Sequence, residues 1–296
     1  RKLKKKGRSI SVSARAQLND NNSDNLNISE TRFLLSPDKD DVRNQRYDAK
    51  NTATFFNAGA EYQEPITDSI KMSVGVSYGF RNYRNLRDVF DYNSFDGRYS
   101  DFSDRLSFEV LQDTKSLSPT IGLNVNKKKF NLWSEFEFNF TDLELRTLHS
   151  GATSVLNRRD VLPGLNVGAD FQLSQSSRIN IYNYAEFRMP DAMQLSPFTD
   201  EINPLYIIKG NPDLKNTFSA YTGIDFSTNN VQKNRSFYIY TNFNYQEAAV
   251  VTNSVYDASG RQFATYANIN GNKNVYLGGG YTKSWKWKDN KFTINP

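Results

Sequence analysis

Apolar residues in this chain recur at every second position, in runs too long for an ordinary strand and without helical spacing. Ile10, Val12, Ala14, Ala16 and Leu18 alternate with Ser9, Ser11, Ser13, Arg15 and Gln17. The same period returns in Ile70, Met72, Val74, Val76 and Tyr78 against Lys71, Ser73, Gly75, Ser77 and Gly79. It returns again in Leu165, Val167, Ala169, Phe171 and Leu173 against Asn166, Gly168, Asp170 and Gln172. A period of two gives a strand one greasy and one wet face. Each run covers roughly 9–14 residues, enough for a tilted strand to cross a bilayer. Strands of soluble sandwiches average only ~5–6 residues.

About eleven such runs follow one another, and their connections alternate in length. Short turns follow Tyr62, Val125, Leu173, Phe226 and Trp287, and long segments follow Leu18, Tyr78, Phe140, Phe187 and Tyr245. The long segments 19–50, 81–117 and 142–160 read as loops, with short strands expected inside them at 26–35 and 106–111. Residues 248–270 read as a hairpin turning at Asp257-Ala258-Ser259-Gly260. Sorting of this kind predicts an antiparallel transmembrane β-barrel with short periplasmic turns and long outer loops. Phe130, Phe237, Trp285 and Trp287 fall beside short turns, and Tyr62, Tyr78 and Phe187 at rims, where aromatic girdles are expected.

Composition agrees. A hydrophobic content of 38% and a mean hydropathy of −0.68 are low for one large dry core. Yet 17 Tyr and 21 Phe are too many for a disordered chain. A wall one residue thick reconciles the two. No run of ~18 apolar residues offers a transmembrane helix, and the absence of Cys removes disulfide and thiolate chemistry. Much of the net charge of +5 sits in Arg1-Lys2-Leu3-Lys4-Lys5-Lys6-Gly7-Arg8. That run lacks interleaved aromatics, so it reads as a basic strand flank at the membrane surface and not as a nucleic-acid arm. With no initiating Met or secretory signal, the chain is expected to be a piece of a longer protein.

Three passages carry a family likeness. They are Lys4-Lys5-Lys6-Gly7-Arg8-Ser9 with Asn19-Asp20-Asn21-Asn22-Ser23-Asp24; the stretch from Arg188-Met189-Pro190 through Gln194-Leu195 and Asn203-Pro204-Leu205 to Gly210-Asn211-Pro212-Asp213-Leu214-Lys215; and Tyr266-Ala267-Asn268-Ile269-Asn270-Gly271. With them the chain resembles the barrel of TonB-dependent-receptor-like outer-membrane proteins, particularly the outer-membrane β-barrel family common in Bacteroidetes. The resemblance implies one region, 1–296, forming part of a barrel of about 22 strands, with a plug and further strands outside this chain. It also implies import of a nutrient ligand, energised through TonB.

No phosphate loop, zinc spacing or nucleophile elbow is present, so neither an enzyme nor a cofactor is expected. Asp38-Lys39-Asp40-Asp41 lacks the pattern of a calcium loop, His149 reads as a solvated loop residue, and Glu135 and Glu137 as solvated or salt-bridged lumen residues. The candidate ligand contacts are Tyr182, Tyr184, Glu186 and Arg188, with Tyr238, Tyr240, Asn242 and Asn244; aromatic faces beside charge suit sugars, peptides or chelates. Gly210, Asn211, Pro212 and Leu214 mark the return from an outer loop. The expected partners are the outer-membrane bilayer, TonB by way of a plug, and a surface lipoprotein or other protein, without nucleic acid. A scaffold for surface-protein assembly and a soluble β-rich binding module are the alternative readings.

Overall fold

The computed structural model describes residues 5–33, 40–288 and 290–295. In chain order the first strands are β1 (Ser9–Thr31), β2 (Asp41–Pro65), β3 (Ile70–Asn93), β4 (Arg98–Phe102), β5 (Phe108–Lys127), β6 (Phe130–His149), β7 (Ala152–Gln172) and β8 (Ser177–Arg188). A helical turn, α1 (Ala192–Leu195), comes next. After it come β9 (Thr199–Asn203), β10 (Tyr206–Lys209), β11 (Thr217–Asn230), β12 (Arg235–Glu247), β13 (Ala249–Tyr256), β14 (Gln262–Ile269), β15 (Asn272–Trp287) and β16 (Asn290–Ile294).

One twelve-stranded sheet runs β1-β2-β3-β5-β6-β7-β8-β11-β12-β15-β16, with β4 hydrogen-bonded to β3 off this path. Among the described residues β1 pairs only with β2 and β16 only with β15, so the sheet is an open wall. Register carries the greasy face across it: Ile10, Tyr62, Val74, Ile121, Phe136 and Leu165 form one cross-strand row. Val12, Val74, Ile121 and Leu277 on this face remain exposed, as a lipid-facing surface requires. Near the short turns the outward rings pair across strands, Phe130 with Phe171, Phe226 with Phe237 and Trp285 with Phe292, which is the expected girdle. Beside the 66–69 turn, Lys5 and Arg8 of the basic flank hold Glu64 at 2.8 and 2.7 Å. Residues 1–4, Asp38, Lys39, Asp289 and the Trp287 side chain lie outside the described residues.

Three of the segments read as loops are strands. β1, β2 and β3 run 23, 25 and 24 residues, and β5, β6 and β7 run 20, 20 and 21, where ~9–11 suffice for the membrane. Residues 19–31 belong to β1, 81–93 to β3, and 142–160 to a hairpin closing on Ser150 and Gly151, both at positive φ, as a two-residue hairpin turn requires. The reason is an exchange of faces. Within the membrane β6 turns Phe136, Phe138 and Phe140 outward; above it Leu143 and Leu145 are buried on the opposite, concave face while Glu144 and Arg146 face out. β5 does the same, with Phe108 and Val110 inward and Glu109 outward. Ion pairs then lace the outer face above the lipid: Arg46 to Asp24 at 2.8 Å, Arg84 to Glu109 at 2.6 Å and Arg159 to Asp142 at 2.9 Å. His149 is no solvated loop residue either. It ends β6, its Nε2 lies 2.9 Å from the Arg105 carbonyl, and its ring packs 5.3 Å from Phe198.

The inverted apolar face is covered from within. Residues 189–216 fold onto the concave side, placing Ala192, Leu195, Phe198 and Leu214 against Phe108, Val110, Leu143 and Leu145 in a small buried core. A second sheet, β13-β14-β10-β9, completes this cap, with β10 parallel to β14.

Candidate functional site

The concave wall below the cap is polar, and its aromatic rings lie where glycines make room. Trp133 stands in register with Gly168, Tyr182 with Gly223, Tyr240 with Gly278 and Tyr238 with Gly280. A Cβ on Gly168 would fall 2.0 Å from the Trp133 ring, and one on Gly223 would fall 2.2 Å from Tyr182. The rings therefore lie flat on the neighbouring strand, covering its backbone and turning the other π-face to the lumen.

The two groups of candidate residues meet only in part. Tyr182 and Asn242 share a row through Gly223, and Tyr221 of the next row donates to Asn242 at 2.7 Å. Tyr184 and Asn244 share the next row, through Tyr221. Tyr184 and Arg188 both hydrogen-bond Glu186, so that guanidinium is already neutralised. Tyr238 and Tyr240 stack on each other nearer the periplasmic turn, and Tyr240 packs 5.7 Å from Tyr276. Glu135, Glu137 and Glu186 line a recess of about 120 Å³ over Gly164. Glu135 and Glu137 have no ion partner among the described residues. No group of three or more His, Asp or Glu suited to a metal occurs among the described residues.

The Gly-Asn-Pro passage is a fastening. A Cβ on Gly210 would sit 1.9 Å from the Ser196 carbonyl oxygen, so only glycine lets the two backbones pass. The Asn211 N–H donates to the Gln194 carbonyl at 2.6 Å, and its side chain donates to the Tyr266 carbonyl at 2.9 Å. Asn268 exchanges hydrogen bonds with Lys215, at 2.8 and 3.2 Å. Two of the family passages, far apart in sequence, are thus stitched together. Leu214 fills the buried core, and its carbonyl accepts from Arg158 at 2.8 Å. On the far side the cap is clamped by the tall strands. Arg87 grips Asp200 through two hydrogen bonds of 3.0 and 2.7 Å, and Arg43 donates to the carbonyls of Glu201 and Ile202 at 2.7 and 3.0 Å.

A cavity of about 640 Å³ opens at the seam of wall and cap. Arg81, Tyr83 and Gln112 come from the wall, Asp191 and Met193 from the lip of the cap, and Tyr266 from β14. Burial pushes the Tyr83 and Tyr266 phenols above their ordinary range. Sequence reasoning named Arg188 here but missed Arg81, Tyr83 and Gln112, which lie in the segment read as a loop. Their signal was parity: Arg81 and Tyr83 continue the odd-numbered wet face of Lys71, Ser73, Ser77 and Gly79.

The sequence matches the model of the outer membrane protein beta-barrel family over residues 1–295. No curated protein matches it. Among solved structures, the copper transporter OprC superposes with a TM-score of 0.61 at 12% identity, covering 95% of this chain and 42% of that one. The ferric-catecholate import receptor Fiu from E. coli K12 gives 0.54 at 13% identity, covering 95% and 42%. The pyoverdine outer membrane receptor FpvA from Pseudomonas aeruginosa PAO1 gives 0.52 at 12%, covering 96% and 42%. At such identity the likeness is one of fold, and the chain spans 42% of the length of these three proteins. An antiparallel barrel wall with lipid-facing and lumenal surfaces, matched along its length by one family, makes this chain a member of the outer membrane protein β-barrel family, resident in the outer membrane.

Proposed function

We propose that this chain forms part of the wall and the outer cap of an importer that takes a nutrient ligand from the cell surface into the barrel lumen. A plug and further strands outside these residues would complete it, with TonB supplying the energy. The observation that carries this reading is the inward-folded cap, which leaves a ligand-sized cavity against the lumenal wall. Tyr182, Tyr184, Glu186, Arg188, Asn242 and Asn244 then line the descent from that cavity, with Tyr238 and Tyr240 nearest the periplasm. Gly210, Asn211, Pro212 and Leu214 hold the cap in place and do not touch the ligand.

The reading is tested in the native host. A strain lacking the protein is grown on limiting metal chelates, glycans and peptides, and complemented with the full-length gene or with a form lacking residues 190–216. Import predicts a defect on at least one source, rescued by the full-length form and not by the shortened one. Growth unchanged on every source, with loss of a co-purifying surface protein instead, would replace import by a scaffold role.

A further inference from the structure

The seam cavity carries opposite charges on its two sides, neither held in an ion pair among the described residues. Arg81 belongs to β3 and lines the cavity, and among the described residues its guanidinium forms no ion pair or hydrogen bond. Arg188, the other guanidinium in the lining, is held by Glu186. Asp191 faces the same cavity from the lip of the cap and has no ion partner among the described residues. Its position is fixed, because its own N–H donates to the Gln194 side chain at 2.9 Å. Tyr83 lines the same cavity as both charges. Around them the surface softens: Met189 and Met193 supply thioethers, with the Met193 sulfur located by a 3.2 Å contact from Asn85.

A purely anionic ligand would satisfy Arg81 and be repelled by Asp191, and a cation would meet the reverse. A ligand bearing hydroxyls alone would leave both charges without an ionic partner, and such mismatches are strongly selected against. A molecule with one charge of each sign fits both. We propose that the seam cavity binds a short zwitterionic ligand, peptide in class, with its carboxylate on Arg81 and its ammonium at Asp191. A volume of about 640 Å³ admits several residues, and flexible thioethers accept side chains of differing shape. Because Arg81 belongs to the wall and Asp191 to the cap, such a ligand also ties the two together. The assignment rests on the import reading for its biological sense, though the binding site itself can be measured apart from transport.

The test uses full-length protein purified in detergent and calorimetric titration with alanyl-leucyl-alanine in three forms: free termini, C-terminal amide and N-acetyl. The free peptide is expected to bind, and each blocked form to bind at least about tenfold more weakly, as loss of a charged hydrogen bond implies. Arg81→Gln should weaken the free peptide to a similar degree and abolish discrimination between acid and amide. Arg81→Lys should restore part of the affinity. Asp191→Asn keeps a good helix-capping residue and should abolish discrimination between amine and acetyl. Unchanged thermal unfolding of these variants shows that the cap is intact. Equal binding of free and blocked peptides, or an Arg81→Gln variant that binds as the parent does, overturns the assignment. Absence of peptide binding, in a protein whose deletion strain fails on another nutrient, overturns it and leaves import standing. Selective peptide binding in a protein without any uptake phenotype supports the site and removes import.

Discussion

The side-chain amide of Asn211 donates to the carbonyl of Tyr266, 2.9 Å away and 55 residues further along the chain. Asn211→Ala leaves that carbonyl without its partner, at a local cost of about 1–3 kcal/mol. Amide exchange should accelerate in residues 189–216 and 262–269 and stay slow in the membrane portions of β2, β3 and β5. Uniform acceleration along the chain would mean that the bond supports the whole wall and not the cap.

Arg87 and Asp200 form the most enclosed ion pair between wall and cap, with side chains only 10% and 21% exposed. Removing one partner of such a pair strands the other, at roughly 3–5 kcal/mol in fully buried cases; the partial exposure here puts Arg87→Met toward the lower end. Limited proteolysis of intact cells should cut residues 199–209 faster in this variant. The double variant with Asp200→Leu should recover part of the protection.

Gly168 and Gly164 lie four residues apart on β7 and predict opposite outcomes. An alanine Cβ at Gly168 would overlap the Trp133 ring, whereas at Gly164 the nearest atoms are 3.8 and 3.9 Å away. Gly168→Ala should destabilise the folded barrel by about 1–3 kcal/mol through overpacking, and Gly164→Ala should be close to neutral. Denaturant titration in lipid vesicles reads the difference.

Single cysteines report the two faces. In native membranes a bulky water-soluble thiol reagent should label Asn242→Cys and spare Phe243→Cys. Above the membrane the pattern changes: Glu144→Cys should react from outside the wall, and Leu143→Cys, buried under the cap, should not. Labelling of Leu143→Cys in intact protein would contradict the buried core of wall and cap.

Asp257 closes the outer hairpin. It accepts from the Ser259 hydroxyl at 2.6 Å, from the Ser259 and Arg261 N–H groups at 2.9 Å each, and from the Arg261 guanidinium at 2.9 Å. The Ser259 hydroxyl, followed by these other donors, holds its carboxyl at about 2, below the ordinary 3.8. A carboxyl lowered on folding stabilises the turn fully above its unfolded value, and that contribution is lost as pH falls from about 3.8 through about 2. Exchange or fluorescence at residues 257–261 should show the turn loosening across that window. Asp257→Asn should erase the pH dependence.

The transmembrane part of the fold was legible because lipid imposes one rule along every strand: apolar out, polar in. Ile10 to Leu18, or Val74 and Val76, needed nothing else to be read. That rule ends at the membrane surface. At Phe140 the outward face enters water and the inward face meets the cap, so apolar residues change sides at Leu143 and strict alternation breaks though the strand does not. Arg81 was lost by the same reading. Gly210 to Lys215 was recognised as a return from an outer loop, but its bond to Tyr266 joins distant segments and leaves no local trace in either one.

The wall is unequal in height, and that decides how the cap can move. At ~3.3 Å per residue, β1, β2, β3, β5, β6 and β7 rise well clear of the bilayer, while β8, β11 and β12, at 12, 14 and 13 residues, end near it. The cap grows covalently from the low rim, at residues 188 and 217 and at 247 and 272. Against the high rim it is held by Arg43, Arg87, Arg105 and Arg158 and by a small apolar contact. The chain itself ties the cap to the low rim, while only non-covalent contacts tie it to the high one, so weakening those contacts is expected to free the edge that faces the tall strands.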